Sequence, residues 1–362
     1  VSDARYMALA LSLGARGLGR TWPNPAVGCV IVQRNRIVGR GWTQPGGRPH
    51  AEVMALRQAG EAARGATAYV SLEPCAHHGK TPPCAEALIA AGVSRVVTAL
   101  EDPDPRVAGR GHAMLRAAGI EVTEGVMGAE AAEANAGFLK RVTQGLPLVT
   151  LKLATTIDGR IATASGESRW ITGPEARRAV HGLRMSHDAV MVGAGTALAD
   201  DPDLTVRDMG AGHQPVRILI DSRLRHSPES RLGRTADQHP VWICHGPGAP
   251  TAAREAWART GALLLDCPET DGRIDLRAAL ALLAGRGLTR ILCEGGAQLA
   301  ASLVAGRLCD ALLLFQAGKL IGAEGHPALG PLGLPLLAAA PRFRMVAAEA
   351  VGEDLMQRWL PE

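Results

Sequence analysis

Pro49-His50-Ala51-Glu52-Val53, then Ser71-Leu72-Glu73-Pro74-Cys75, then His77-His78-Gly79-Lys80-Thr81-Pro82-Pro83-Cys84: the reading of these segments decides the fold. Imidazole and thiolate are good zinc ligands, and a catalytic zinc takes three protein ligands and leaves its fourth position to water. His50, Cys75 and Cys84 supply such a set for one Zn2+ per chain. Glu52 is a carboxylate outside the set, placed to take and return protons. The elements around the motif read as α/β. A helix over 3–18 leads into strands at 27–32 and 37–42, an antiparallel pair. Next come a helix from about 50 to 60, a strand at 66–72, the Cys-bearing loop and a helix over 82–91. Strands at 95–100 and 120–123 flank a helix near 109–118. Such alternation predicts a mostly parallel sheet covered on both faces.

The helix carrying Cys84 has clear boundaries: Thr81 can cap it, Pro82 suits its first position and Gly92 stops it. A thiol at that end is expected to have a lowered pKa, because it faces unpaired backbone N–H groups. Past a short linker ending at Pro147 a second α/β pattern begins. Strands are expected at 148–153, 189–192, 216–221, 241–244, 263–266, 290–293 and 311–314. Helices are expected at 174–185, 251–260, 276–284 and 298–305. Thr172 with Glu175 reads as a capping box ahead of the first of these.

At 362 residues the chain exceeds one ordinary core, so two domains are expected, 1–145 and 146–362. A net charge of +4 carried by scattered basic residues, with 3% aromatics, suits small anionic substrates better than a nucleic-acid groove, so no nucleic-acid partner is expected. No apolar run is long enough to span a bilayer, so no membrane partner is expected. Residues 8–14 read better as an amphipathic helix than as a signal segment, since Asp3 and Arg5 flank them. Seven cysteines, an odd number with two in a metal pattern, point to a reducing cytoplasm rather than a disulfide framework. Cys29, Cys244, Cys267, Cys293 and Cys309 read as buried small hydrophobes. A homo-oligomer is the expected assembly.

His-x-Glu followed by Pro-Cys is the signature of zinc deaminases of nucleobases, in which the Glu acts as general acid and base. Asn24, on a Pro-Asn-Pro turn, is a candidate contact to the polar edge of a base. Eight residues separate Cys75 from Cys84, where such deaminases commonly have two. With that long interval, and with Asn24-Pro25-x-Val27-Gly28, the first half resembles the deaminase half of the bifunctional riboflavin-biosynthesis deaminase–reductase family. The resemblance implies a cytidine-deaminase-like three-layer α/β/α domain. It also implies that His77 and Lys80 help bind a phosphoribosylated pyrimidine.

The second half resembles the reductase half of the same family, whose fold resembles dihydrofolate reductase. The matching stretches are Lys152-Leu153-Ala154-Thr155-Thr156-Ile157-Asp158-Gly159-Arg160, Ser168-Arg169-Trp170-Ile171-Thr172 and the segment from Thr196 to Arg207. By position, the resemblance implies that Ala154, Trp170, Thr196, Asp200, Ser222 and the loop from Gly296 contact NADPH. It likewise implies that Ser168, Arg184, Leu204, Arg207 and Glu294 contact the ribose phosphate. Glu294-Gly295-Gly296 between a strand and a helix suits close approach of a dinucleotide phosphate to backbone N–H groups. Gly193-x-Gly195 lacks the third glycine of a Rossmann site. Arg184 and Arg207 match phosphate oxygens as guanidinium forks, and Lys152 is expected to stabilise developing charge. The implied chemistry is deamination of a diaminopyrimidine ribosyl phosphate, then NADPH-dependent reduction of its ribosyl chain.

Three other readings compete. A closed structural zinc site would recruit His77 or His78 as a fourth ligand. A nucleic-acid base deaminase predicts a short Cys interval and a basic groove. A zinc-stapled interaction module predicts four protein ligands and no chemical role for Glu52.

Overall fold

The computed structural model describes residues 2–78, 82–105, 107–210 and 212–362. The chain divides into two compact units, Val1–Gly145 and Leu146–Glu362.

The first unit is built on five strands: β1 (Gly28–Gln33), β2 (Arg36–Trp42), β3 (Thr67–Val70), β4 (Arg95–Thr98) and β5 (Glu121–Thr123). Their order is β2-β1-β3-β4-β5. β1 runs antiparallel to both β2 and β3, while β3, β4 and β5 are parallel. Strand side chains alternate between the two faces. On β1, Cys29 and Ile31 enter one core with α2 (Ala51–Ala59), α3 (Cys84–Ala90), α4 (Arg110–Ala117) and α6 (Ala136–Gln144). Val30 and Val32 enter the other with α1 (Asp3–Ala15) and α5 (Gly128–Ala134). This is the three-layer α/β/α arrangement expected.

Glycines let α2 lie unusually close to the sheet. A Cβ on Gly41 would stand 2.1 Å from the Ala51 carbonyl oxygen, and one on Gly39 would stand 2.2 Å from that of Ala55. The first turn of α2, with His50 before it and Glu52 within it, therefore rests directly on β2.

The second unit holds a nine-stranded sheet in the order β11-β10-β9-β8-β14-β6-β15-β18-β17. Its parallel part comprises β6 (Leu148–Thr156), β8 (Ala189–Gly193), β9 (Val216–Ile220), β10 (Val241–His245), β11 (Leu263–Asp266), β14 (Arg290–Cys293) and β15 (Ala311–Ala317). The antiparallel hairpin β17 (Phe343–Val351) and β18 (Asp354–Pro361) completes it. Short pairs lie outside the sheet: β7 (Arg160–Ala162) with β16 (His326–Pro327), and β12 (Glu269–Thr270) with β13 (Arg273–Ile274). The helices are α7 (Pro174–Met185), α8 (Ala194–Asp200), α9 (Arg231–Arg234), α10 (Thr251–Ala258), α11 (Leu276–Gly285) and α12 (Ala297–Ala305).

Several local expectations are corrected. The helix read over 82–91 starts at Cys84, with Pro83 as its N-cap. The capping box does not form. Gly173 is the N-cap of α7, and its N–H donates to Asp354 Oδ2 at 2.7 Å, a partner supplied by β18. β6 continues to Thr156 because its ladder with β15 runs on to Thr156 opposite Ala317. The Asp158-Gly159-Arg160 turn is anchored by Asp158, which accepts from Thr156 Oγ1 at 2.5 Å and from the Gly322 N–H at 2.7 Å. Those bonds hold its carboxyl down at about 2.

Candidate active sites

In the first unit, His50 is the N-cap of α2, Cys84 opens α3, and Cys75 lies in the loop after β3. Three segments distant in sequence thus converge. His50 Nδ1 stands 3.3 Å from Cys84 Sγ and 3.7 Å from Cys75 Sγ. A tetrahedral zinc with bonds of about 2.05 Å to nitrogen and 2.3 Å to sulfur needs N-to-S edges of about 3.6 Å. The donor set and its spacing therefore fit the ion. Among the described residues no fourth ligand atom joins this group. His78 instead faces Glu86 at 3.4 Å, and His77 Nδ1 is buried with no hydrogen-bond partner, so neither closes the site.

Cys75 receives a hydrogen bond from the Cys84 thiol, one from His50 and one from the Cys84 backbone N–H, which together bring it down to about 4. Cys84 is pushed up, first because its thiol donates to Cys75 and then by burial. This corrects the expectation for the helix end: its free N–H serves the sulfur of the preceding loop, not the thiol of its own first residue. His50 is raised by its contact with Cys75. Glu52, 3% exposed, is raised by burial and by the nearby Cys75, with His50 opposing. A carboxyl so placed takes up a proton more readily than one in water.

Glu73, which carried no expected role, organises the loop. Its two oxygens are buried and accept from the backbone N–H groups of Asp102 (3.2 Å), Gly109 (2.9 Å), Gly111 (2.8 Å) and His112 (3.2 Å). One carboxylate thus satisfies the start of α4 two residues before a zinc ligand. Asp102 is also buried, and burial pushes it up to about 6. Asn24 donates to the Gly47 carbonyl at 3.0 Å, tying down the turn that precedes His50 and leaving its oxygen without a partner among the described residues. Lys80 lies outside the described residues. Glu101, His112 and Glu124 form a second cluster. There His112 Nδ1 faces Glu124 at 3.3 Å and Arg116 holds the other Glu124 oxygen, so both oxygens of that carboxylate already have protein neighbours.

In the second unit a cavity of ≈ 800 Å³ opens at the carboxyl ends of β6, β8, β9 and β14, where open α/β sheets collect ligands. Lys152, Ala154, Ser168, Thr196, Asp200, Ser222, Glu294 and Gly296 all line it. α12 starts here. Gly296 has φ +64°, and a Cβ on it would stand 2.8 Å from Thr196 Oγ1. The glycine keeps open a cradle of backbone N–H groups at a helix start, which suits a dinucleotide phosphate.

Four other expected contacts are placed differently. Trp170 is 61% exposed and outside the cavity lining, with the Arg177 guanidinium 4.6 Å over its ring. Leu204 sends its side chain into the core beside Leu219 and Val190, leaving only its backbone, at φ +56°, for a ligand. Arg184 is not a free fork. It grips Glu294 through Nε at 2.6 Å and Nη2 at 2.9 Å and the Thr205 carbonyl through Nη1 at 2.7 Å. Burial works against both charges, yet pairing outweighs it: Arg184 is raised and Glu294 lowered. Arg207 is half-exposed and bonded to Asp203 at 3.1 Å. His181, unremarked in the sequence, accepts from the Arg207 N–H at 3.2 Å, and burial and the two arginines lower its pKa. Lys152 is lowered by burial, with Glu294 opposing and Arg184 reinforcing.

Residues 1–100 match the family described as the cytidine and deoxycytidylate deaminase zinc-binding region, and residues 147–357 match the RibD C-terminal domain. The chain is 46% identical to riboflavin biosynthesis protein RibD of Escherichia coli K12, over 98% of each chain. It is 41% identical to the protein of the same name from Aquifex aeolicus, over 98% of this chain and 97% of that one. Among solved structures, RibD of Acinetobacter baumannii superposes with a TM-score of 0.90 at 40% identity, covering 99% of both chains. A diaminohydroxyphosphoribosylaminopyrimidine deaminase/5-amino-6-(5-phosphoribosylamino)uracil reductase from Thermotoga maritima superposes at 0.86 with 34% identity, covering 99% of this chain and 98% of that one.

Proposed function

The chain belongs to the RibD family of riboflavin-biosynthesis enzymes, and on that premise we propose how its residues carry out two reactions. It is a bifunctional enzyme, a zinc-dependent deaminase followed by an NADPH-dependent reductase. The first unit hydrolyses the 2-amino group of 2,5-diamino-6-ribosylamino-4(3H)-pyrimidinone 5′-phosphate and releases ammonia. The second reduces the ribosyl chain of that product to give 5-amino-6-ribitylamino-uracil 5′-phosphate.

His50, Cys75 and Cys84 would hold Zn2+, which when bound makes a water acidic enough to attack near neutral pH. Glu52 would carry the first proton of that water to the ring nitrogen and then the proton of the added hydroxyl to the amine, which leaves as ammonia. Its burial supports this role, because a carboxylate with a raised pKa accepts a proton more readily than an ordinary one and so can carry it between two sites. The Asn24 oxygen and His77 would face the pyrimidine and its ribosyl phosphate.

In the reductase, Ala154, Thr196, Asp200, Ser222 and the loop from Gly296 would hold NADPH, which when bound would provide the hydride for the open-chain aldehyde or imine carbon. Lys152, lowered by burial, would give the proton that completes the reduction, and Glu294 would hold it beside the ribose. Arg184 would act through Glu294, fixing that carboxylate, while Arg207 and His181 would receive the substrate phosphate. Among the described residues no helix is long and apolar enough to cross a membrane. A cytoplasmic setting suits the free thiols, and homo-oligomerisation suits the unpaired outer edge of β17.

The observation that carries the reading is the convergence of one imidazole and two sulfurs beside the buried Glu52. Glu52→Gln tests it. The variant should retain stoichiometric zinc while ammonia release from the diaminopyrimidine phosphate disappears; ordinary turnover in it would remove Glu52 from the chemistry.

A further inference from the structure

The cavity of the second unit has a direction. Lys152, on β6, and Glu294, after β14, mark the end where reduction takes place. The cradle at Gly296 and the start of α12 forms the middle. Ser222 and Arg225, just past β9, and Arg273, on β13, line the remaining end. β9 lies three strand spacings from β6 in the sheet, about 14 Å. A dinucleotide with its nicotinamide by Lys152 and its diphosphate at Gly296 must therefore place its adenosine beside these three residues.

The charge at that end is unusual. Nearby Arg223 is satisfied, donating to Glu269 at 2.9 Å and 3.2 Å. Arg225 has only Asp221, at 3.8 Å, and Asp221 already accepts from the backbone N–H groups of Arg223 (3.4 Å) and His226 (2.8 Å). The Arg225 side chain is 62% exposed. Arg273, also exposed, has no ion pair among the described residues. Two guanidinium groups and a hydroxyl thus line the cavity, and the one carboxylate paired with them, Asp221, is already shared with two backbone N–H groups. Guanidinium forks match phosphate oxygens, and a 2′-phosphate is the group that distinguishes NADPH from NADH.

We infer that Arg225 and Arg273, with the Ser222 hydroxyl, bind the 2′-phosphate of the cofactor and set the preference for NADPH over NADH. This rests on the reading of the cavity as the cofactor site. The contact is electrostatic and remote from the transferred hydride, so it acts on cofactor affinity and not on the reducing step.

The test is direct binding to the full-length protein, by calorimetry or tryptophan fluorescence, using NADPH, NADH, 2′,5′-ADP and 5′-ADP. Arg225→Ala and Arg273→Ala should each weaken NADPH roughly 10-fold, and the pair together roughly 100-fold, in proportion to lost charge-assisted hydrogen bonds. NADH and 5′-ADP affinities should not change, and 2′,5′-ADP should follow NADPH. Because both side chains are exposed, the variants are expected to fold, which circular dichroism checks. Equal losses for NADPH and NADH, or no loss for either, would overturn the assignment while leaving the cofactor site in place. Failure of NADPH to bind the unaltered protein would overturn the cofactor reading and this inference with it.

Discussion

At the scale of single residues, the chemistry is concentrated in groups whose ordinary acidity the fold has changed. His187 shows the effect outside the proposed sites. Its ring nitrogens meet the Leu183 carbonyl at 2.7 Å and the Thr150 hydroxyl at 3.0 Å, and burial holds it down at about 4. An unfolded chain takes up that proton near pH 6.5, so between pH 6.5 and 4 the unfolded form binds more protons than the folded one. Stability from this group is complete above that window and falls by roughly 3 kcal/mol as pH drops through it. His187→Gln should lose less stability on acidification than the unaltered protein, read as the difference in urea midpoints at pH 7 and pH 4.5. The residue types alone disclosed His50, Glu52, Cys75 and Cys84, because zinc chemistry restricts which side chains serve and at what spacing. Arg184 was legible only as a charge, since its partner Glu294 lies 110 positions away. Glu73 was hidden for the same reason, as every bond its carboxylate accepts comes from residues 29 to 39 positions distant.

At the scale of elements, periodicity located the buried strands of both sheets and most helices. It failed where burial is weak. β17 is exposed along most of its length, so no apolar alternation announced it. α5 and α8 are short and rich in Ala and Gly, offering little amphipathic contrast. The close seating of α2 on β2 makes a specific demand. Gly41→Ala would drive a methyl group into the Ala51 carbonyl and displace the turn that carries His50 and Glu52. A stability loss of roughly 1–3 kcal/mol is expected, as for other overpacked contacts. Bound zinc should fall below one per chain, measured by denaturant titration and metal analysis. A variant with full zinc and unaltered stability would mean that the helix has room to move.

At the scale of the whole molecule, two units with separate cores carry two chemistries that share no ligand set. Removing the metal should therefore divide the activities. Dialysis against a strong chelator should abolish ammonia release, and NADPH consumption on an already deaminated substrate should continue at its former rate. Added zinc should restore the first activity, and a parallel loss of both would contradict the assignment of the metal to one unit. The loop between the two sulfur ligands carries a further consequence. One end is moored through Glu73 to the α4 backbone, and the other through the Cys84 N–H to the Cys75 sulfur. Neither mooring uses a side chain from residues 76–83, so changes of side chain confined to that stretch are expected to leave the grip on the ion in place. If His77 meets the substrate as proposed, substrate choice and metal affinity should then vary separately, and His77→Ala should alter the first while bound zinc stays at one per chain.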